Sequence, residues 1–323
     1  MNIIGIERIV YGVADMAACS RYLIDWGFVP CGQASTGADF ATLEKTVVSL
    51  RAHDDTALPP LHHNSLFFTG SCGREVIWGV DSAATLVAIA TELRRDRKVT
   101  EDAEGTLHSS DEAGNAIGFC VTRRVPVIEP PLEFNLVGAP VRINRPAVGA
   151  AKDMVARPVR INHVIYLATG GERARAAADF YINRLGFQLS DNVGDKGFFM
   201  RAGGSHDHHN LLFDCHGDEY FGMQHTAYEF RDIDHIMHRG RHLEEQGWES
   251  HNGPGRHTVG SNLTWYFWTP MGGLMELISD MDYLTDDWKP RYIDPKVAGR
   301  PIAWTSRPNG PDFRFGVPSK KAP

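Results

Sequence analysis

Residues 161–166 read Ile-Asn-His-Val-Ile-Tyr, and residues 6–11 read Ile-Glu-Arg-Ile-Val-Tyr. Both are short apolar runs of the composition that forms a β-strand. A helical stretch follows each. One ends in Tyr22-Leu-Ile-Asp-Trp-Gly27-Phe28 and the other in Tyr181-Ile-Asn-Arg-Leu-Gly186-Phe187, with the glycine placed as a helix stop. Further along, Glu75-Val-Ile-Trp78 resembles His225-Thr-Ala-Tyr228, and Gly114-Asn-Ala-Ile-Gly118 resembles Gly272-Gly-Leu-Met-Glu276. Offsets of 155, 150 and 158 residues separate Arg8 from His163, Glu75 from His225 and Gly118 from Glu276. That spacing describes a duplicated architecture with small changes in the loops.

Within each half the order strand, helix, several strands occurs twice. The expectation is an α+β fold of two domains, each of paired βαβββ units. Residues 125–158 hold six prolines (Pro126, Pro130, Pro131, Pro140, Pro146, Pro158) without sustained periodicity, which reads as a linker. The chain then divides into an N-terminal domain over 1–124, the linker, a C-terminal domain over 159–290 and a tail over 291–323. Trp288, Tyr292 and Trp304 are the rings with which this end of the chain could cover a funnel mouth.

The 323 residues are 42% hydrophobic and 23% charged, enough to bury a sizeable core. A net charge of −7 argues against nucleic acid or an anionic membrane as partner. No apolar stretch is long enough to span a bilayer, and Met-Asn-Ile-Ile-Gly-Ile-Glu-Arg lacks a signal-peptide layout, so a cytoplasmic location is expected. The five cysteines are scattered and form no Cys-x-x-Cys pair, as free thiols in a reducing compartment would be. Four histidines precede residue 150 and eleven follow it, which directs the chemistry to the second half. His235, His238 and His242 fall in a polar helical stretch and read as solvated.

His163, His225 and Glu276 each sit inside an apolar strand-like run. An imidazole or carboxylate in such a run needs something to satisfy it. Two neutral imidazoles and one carboxylate form a three-sided ligand set that leaves open positions on non-haem Fe(II). Mn(II) suits the same hard, mixed nitrogen and oxygen donors. At the corresponding places the first half has Arg8, Glu75 and Gly118, which cannot reproduce the set, so that half is expected to keep the scaffold without a metal.

The second half resembles the type I extradiol ring-cleaving dioxygenases of the vicinal oxygen chelate superfamily, such as the dihydroxybiphenyl 1,2- and catechol 2,3-cleaving enzymes. The matching segments are His163 in its strand, His208-His209-Asn-Leu-Leu-Phe, His225-Thr, and Gly255-Arg-His257 through Tyr266 to Glu276. Family members are similar in placing a tyrosine nine residues beyond the Gly-Arg-His histidine and the carboxylate ligand ten beyond that, as here. The resemblance implies Fe(II)-dependent cleavage of a catecholic ring beside its diol, with both atoms of O2 entering a hydroxymuconic-type product. It implies that His163, His225 and Glu276 hold the metal and that His209 does acid/base work on the O2 side. His257 and Tyr266 then hydrogen-bond the substrate hydroxyls, and a homo-oligomer is expected. Ile165, two residues beyond the first ligand, should face the same side and line the substrate pocket. His206 and His208 read as exposed or supporting residues of a polar loop tip. This chain departs from the family at Thr258-Val-Gly260-Ser261, where many relatives carry a polar Asp-His pair.

A glyoxalase-type metal-dependent lyase or isomerase shares the fold, as does a non-catalytic ligand-sequestering module, and fold alone does not choose among them. No phosphate-binding glycine loop or dinucleotide fingerprint is present.

Overall fold

The computed structural model describes residues 1–34, 37–60, 71–130, 132–215, 221–298 and 302–308. His62, His63, Pro131 and the tail beyond residue 308 lie outside the described residues. The chain begins with β1 (Ile3–Val13), α1 (Met16–Asp25), β2 (Val29–Ala34), β3 (Gly37–Ala41) and β4 (Val47–Ala52). The same order returns as β5 (Cys72–Val80), α2 (Ala83–Leu93), β6 (Thr100–Glu101), β7 (Leu107–Ser110) and β8 (Ala116–Val121). It occurs a third time as β9 (Arg160–Leu167), α3 (Gly171–Leu185), β10 (Gln188–Val193), β11 (Gly197–Arg201) and β12 (Leu211–Asp214). The fourth unit is β13 (Gly222–Glu229), α4 (Ile233–Glu245), β14 (Ser250–His257), β15 (Leu263–Trp268) and β16 (Leu274–Ser279). The expected four βαβββ units are all present, in an α+β fold.

Local chemistry sets the helix boundaries. The side chains of Asp15, Ser82 and Asp232 accept backbone N–H groups at the starts of α1, α2 and α4. Gly186 ends α3 with φ at 77°, a left-handed position that glycine takes without steric cost. In α4, His235 bonds its own cap, Asp232, at 2.9 Å, and His238 reaches Gly149 O at 3.0 Å. Both are half-buried and bonded to the protein, not solvated as the polar helix suggested.

Two sheets result. The first half gives the order β2-β3-β4-β1-β5-β8-β7-β6. The second gives β10-β11-β12-β9-β13-β16-β15-β14, flanked by β17 (Arg291–Ile293) beside β10 and β18 (Ile302–Thr305) beside β14. This end of the chain therefore adds edge strands. Tyr292 and Trp304 are half or more exposed, whereas Trp288 turns inward and donates to Ser190 O at 2.9 Å. Among the described residues of 125–158 the regular structure is one short 3-10 turn, Val148–Ala150.

The register confirms the internal repeat residue by residue. Ile77 pairs with both Arg8 and Gly118, as Ala227 pairs with both His163 and Glu276. Val10 pairs with Glu75 as Ile165 pairs with His225. The central strand pair carries three irregularities in the first half, leaving Ile4, Glu7 and Arg74 as the extra residues, and two in the second, leaving Asn162 and Gln224.

A single contiguous core joins the halves. Trp26 meets Tyr228 and Phe267 edge-on, Trp78 meets Phe187 at 5.0 Å, and Tyr11 Oη bonds Thr226 Oγ1 at 2.9 Å. Strand alternation then separates two faces in the second sheet. Val164, Tyr166, Met275, Leu277, Trp265 and Phe267 enter that core, while His163, Ile165, Glu276 and Tyr266 occupy the alternate positions on the other face. Among the described residues no helix is long and apolar enough to cross a membrane. All five cysteines are free.

Candidate metal centre

β9, β13 and β16 are neighbours, so their alternate-face residues converge. The candidate ligand atoms of His163, His225 and Glu276 all lie within 4.8 Å of one another, and all three residues are buried. Glu276 Oε2 is 3.0 Å from His163 Nε2 and 3.3 Å from His225 Nε2. These three are the one group of this kind among the described residues.

The surroundings fix which ring nitrogen of His163 carries its proton. Arg160 binds Glu229 and Asp207, at 2.6 and 2.9 Å, and Asn162 Nδ2 donates to both of these carboxylates. The Asn162 amide oxygen must therefore face His163 Nδ1, 2.9 Å away, and accept its proton. Gln224 Oε1 plays the same part for His225 Nδ1. Adjacent side chains on a regular strand point to opposite faces. The bulges at Asn162 and Gln224 allow each amide to reach the imidazole that follows it.

Both Nε2 atoms then face Glu276. Burial pushes the His225 pKa below its ordinary value, so the ring is neutral, and its Nε2 has no hydrogen-bond partner. Burial opposes ionisation of Glu276, yet His163, His225 and His257 around it hold its carboxyl well below the usual range. Two imidazole Nε2 atoms and a carboxylate therefore share one buried point. With both Nδ1 atoms held by amide oxygens, a divalent cation can be bound there by all three groups at once, so the donor set fits a metal.

The remaining candidates gather on the same side. His257 Nε2 lies 3.0 Å from Tyr266 Oη and 3.5 Å from Glu276 Oε1. Tyr266 packs edge-on against His225 at 5.2 Å, and burial followed by the nearby Glu276 charge keeps its phenol protonated. His209 lies 4.3 Å from His163, ring centre to ring centre, and burial drives its pKa well below the ordinary value. Ile165 is buried on the His163 face, outside the main core.

Of the two readings of the His-rich loop, exposed or supporting, His208 and His206 take the second. His208 is fully buried, not exposed, and its Nε2 lies 2.8 Å from Asp191 Oδ2. His206 is half-buried, stacked on Tyr283 and bonded to Leu284 O. Several supporting groups escaped sequence reasoning: Asn162, Gln224, Asp191, Thr264 and Asn262, the last two donating to Glu276 Oε1. Thr264 had a usable signal, since it stands two residues before Tyr266 and so shares its face.

In the first half the corresponding places are filled differently. Arg8 donates to Ser49 Oγ at 3.3 Å and lies 3.7 Å from Asp39. Glu75 is 2.7 Å from His108 Nδ1, and His108 pairs with Gly118 as Tyr266 does with Glu276.

Residues 160–277 match the family described as the Glyoxalase/Bleomycin resistance protein/Dioxygenase superfamily. The chain is 32% identical over 127 residues to metapyrocatechase 2 of Cupriavidus necator, a match covering 39% of this chain and 38% of that relative. The chain therefore spans well under half of that relative's length in the match. Among solved structures it is similar to the Mn(II)-bound glyoxalase of Novosphingobium aromaticivorans, with TM-score 0.72, 21% identity, and 97% and 94% of the two chains covered. It is also similar to the substrate complex of homoprotocatechuate 2,3-dioxygenase from Brevibacterium fuscum, with TM-score 0.71, 15% identity, and 98% and 92% covered. These likenesses establish a shared fold across nearly the whole chain.

Proposed function

Because its second half is a domain of the Glyoxalase/Bleomycin resistance protein/Dioxygenase superfamily, we propose that this protein is an extradiol dioxygenase acting on a catecholic ring. The observation that carries the reading is the convergence of His163, His225 and Glu276 with His209, His257 and Tyr266 on one buried face. The likeness to metapyrocatechase 2 supports it.

In this reading Fe(II), or Mn(II), held by His163, His225 and Glu276 would offer adjacent positions for a diol and O2 and the electrons to join them. Tyr266, whose hydroxyl stays protonated, donates a hydrogen bond to a substrate oxygen, and His257 orients the same edge. Both groups favour the deprotonated diol. His209, neutral because it is buried, takes a proton on the O2 side and returns it as the ring opens. Ile165 lines the pocket wall. Residues 1–124 serve as a scaffold domain without a metal, joined through 125–158 to the catalytic domain over 159–290.

A glyoxalase-type isomerase is the second reading, favoured by the likeness to the Mn(II)-bound glyoxalase. It leaves the His257–Tyr266 pair without a task. The test is Fe(II) reconstitution under anaerobic conditions, followed by aerobic exposure to a panel of substituted catechols. Oxygen uptake and a coloured ring-fission product are expected. Isomerase turnover without oxygen uptake on any catechol would favour the second reading.

A further inference from the structure

His208 is completely buried, and each of its ring nitrogens has a partner. Its Nε2 lies 2.8 Å from Asp191 Oδ2, and Asp191 is itself fully buried. Arg291 grips the same carboxylate with both arms, Nε to Oδ1 at 2.8 Å and Nη2 to Oδ2 at 2.6 Å. Burial works against the Asp191 charge, but Arg291 and His208 together hold the carboxyl below its ordinary range. A carboxylate only accepts, so His208 Nε2 carries a hydrogen. The other nitrogen, His208 Nδ1, lies 3.1 Å from His209 Nδ1. Across that contact one nitrogen must donate and the other accept.

We propose that Asp191, clasped by Arg291, acts through His208 as a positioning residue that fixes the tautomer of His209. In the chain Arg291, Asp191, His208, His209, each hydrogen points toward the carboxylate. His208 donates from Nε2 and accepts at Nδ1, and His209 donates from Nδ1. This leaves His209 Nε2, on the opposite side of the ring, bare and without a hydrogen-bond partner among the described residues. A bare nitrogen can receive a proton, whereas the other tautomer would present a hydrogen there. The inference deepens the reading of His209 as the acid/base group and rests on it, but the tautomer can be observed without turnover.

Two further features belong to the device. Gly260, with φ at +79°, lies so close that a Cβ there would come within 3.2 Å of His208 Nδ1. The loop in which this chain departs from its family therefore makes room for the second imidazole. Arg291 comes from β17, whose parallel pairing places it directly beside Asp191, and its guanidinium lies over the Trp288 ring at 4.9 Å. The stretch following the catalytic domain thus reaches the His209 side of the site through two residues.

The experiment is long-range proton–nitrogen NMR of 15N-histidine-labelled, metal-free full-length protein at neutral pH. His208 and His209 are assigned by signals lost in His208→Gln and His209→Phe. Wild type should show His209 protonated at Nδ1 and His208 at Nε2. Asp191→Asn should shift His209 toward the Nε2-protonated form, and Arg291→Gln, a change at a half-exposed side chain, should do so in part. In Fe(II)-loaded enzyme, Asp191→Asn should lower kcat about ten- to a hundred-fold with KM and metal content unchanged. His209 protonated at Nε2 in wild type, or tautomers unaltered in both variants, would overturn the proposal. Absence of catechol cleavage alongside the expected tautomers would instead count against the assigned function alone.

Discussion

Replacing Glu276 by Gln exchanges one oxygen for an NH2 group and should change stability mainly when metal is bound. Thr264 and Asn262 donate to Oε1, so an amide oxygen suits that side. Oε2 lies 3.0 and 3.3 Å from the Nε2 atoms of His163 and His225, where an amide NH2 can donate to either ring. In metal-free protein the variant trades hydrogen bonds from the rings to a carboxylate for hydrogen bonds from an amide to the rings, and should unfold within about 1–2 kcal/mol of wild type. With metal the two separate. A ligand at a hundred times its Kd stabilises the native state by about 2.7 kcal/mol, roughly 4 °C for a chain of this size. Wild type should show that rise, while Glu276→Gln, having lost its only anionic ligand, should not. The measurement is thermal unfolding under anaerobic conditions, with and without excess Mn(II) or Fe(II), together with metal content after gel filtration. A variant that keeps the full metal-induced rise, or falls well below wild type without metal, would refute the reasoning.

Other perturbations separate the remaining groups. His209→Phe should retain metal while kcat falls about 10²–10⁴-fold, read from metal analysis and oxygen uptake. Tyr266→Phe should lower kcat/KM about ten- to a hundred-fold, the loss of one strong hydrogen bond, without loss of metal. In the first half, the Glu75 hydrogen bond outweighs desolvation and, with Asp102, pushes the His108 pKa from 6.5 up to about 9. Because the folded value is the higher one, the stability it contributes is complete below pH 6.5 and lost as pH rises through about 9. The melting temperatures of wild type and His108→Gln should therefore differ most near pH 6 and converge toward pH 10. Trp78→Ala, which empties a fully buried position against Phe187, should cost about 3–5 kcal/mol in denaturant unfolding and disturb both halves together.

The architecture was legible because its signals are local. A period-two strand followed by a helix and a glycine stop can be read in a dozen residues, and its recurrence aligned Arg8, Glu75 and Gly118 with His163, His225 and Glu276. The strand register reproduces that alignment. Convergence of His163, His225 and Glu276 was readable for the same reason, since each occupies a defined strand of a repeated unit. Asp191 and Arg291 were not readable. They are 100 residues apart and meet only because β17 adds to β10 in parallel, a pairing no short-range pattern announces. His208 meets the same carboxylate, 17 residues away from it in sequence. The roles of Asn162 and Gln224 were concealed by the alternation rule itself, which assigns neighbours to opposite faces and is suspended at a bulge.

The strands β17 and β18 lie at opposite margins of the ten-stranded sheet. A sheet margin is a row of unpaired amides able to recruit another chain. In the first sheet the outer strands are unattractive templates: β6 has two residues and β2 contains Pro30 and Gly32. The larger sheet relies on occupancy. A protease that removed the chain after residue 290 would uncover β10, a strand free of proline and glycine and open to pairing with another chain, whereas β14 at the other rim is guarded by Gly253, Pro254 and Gly255.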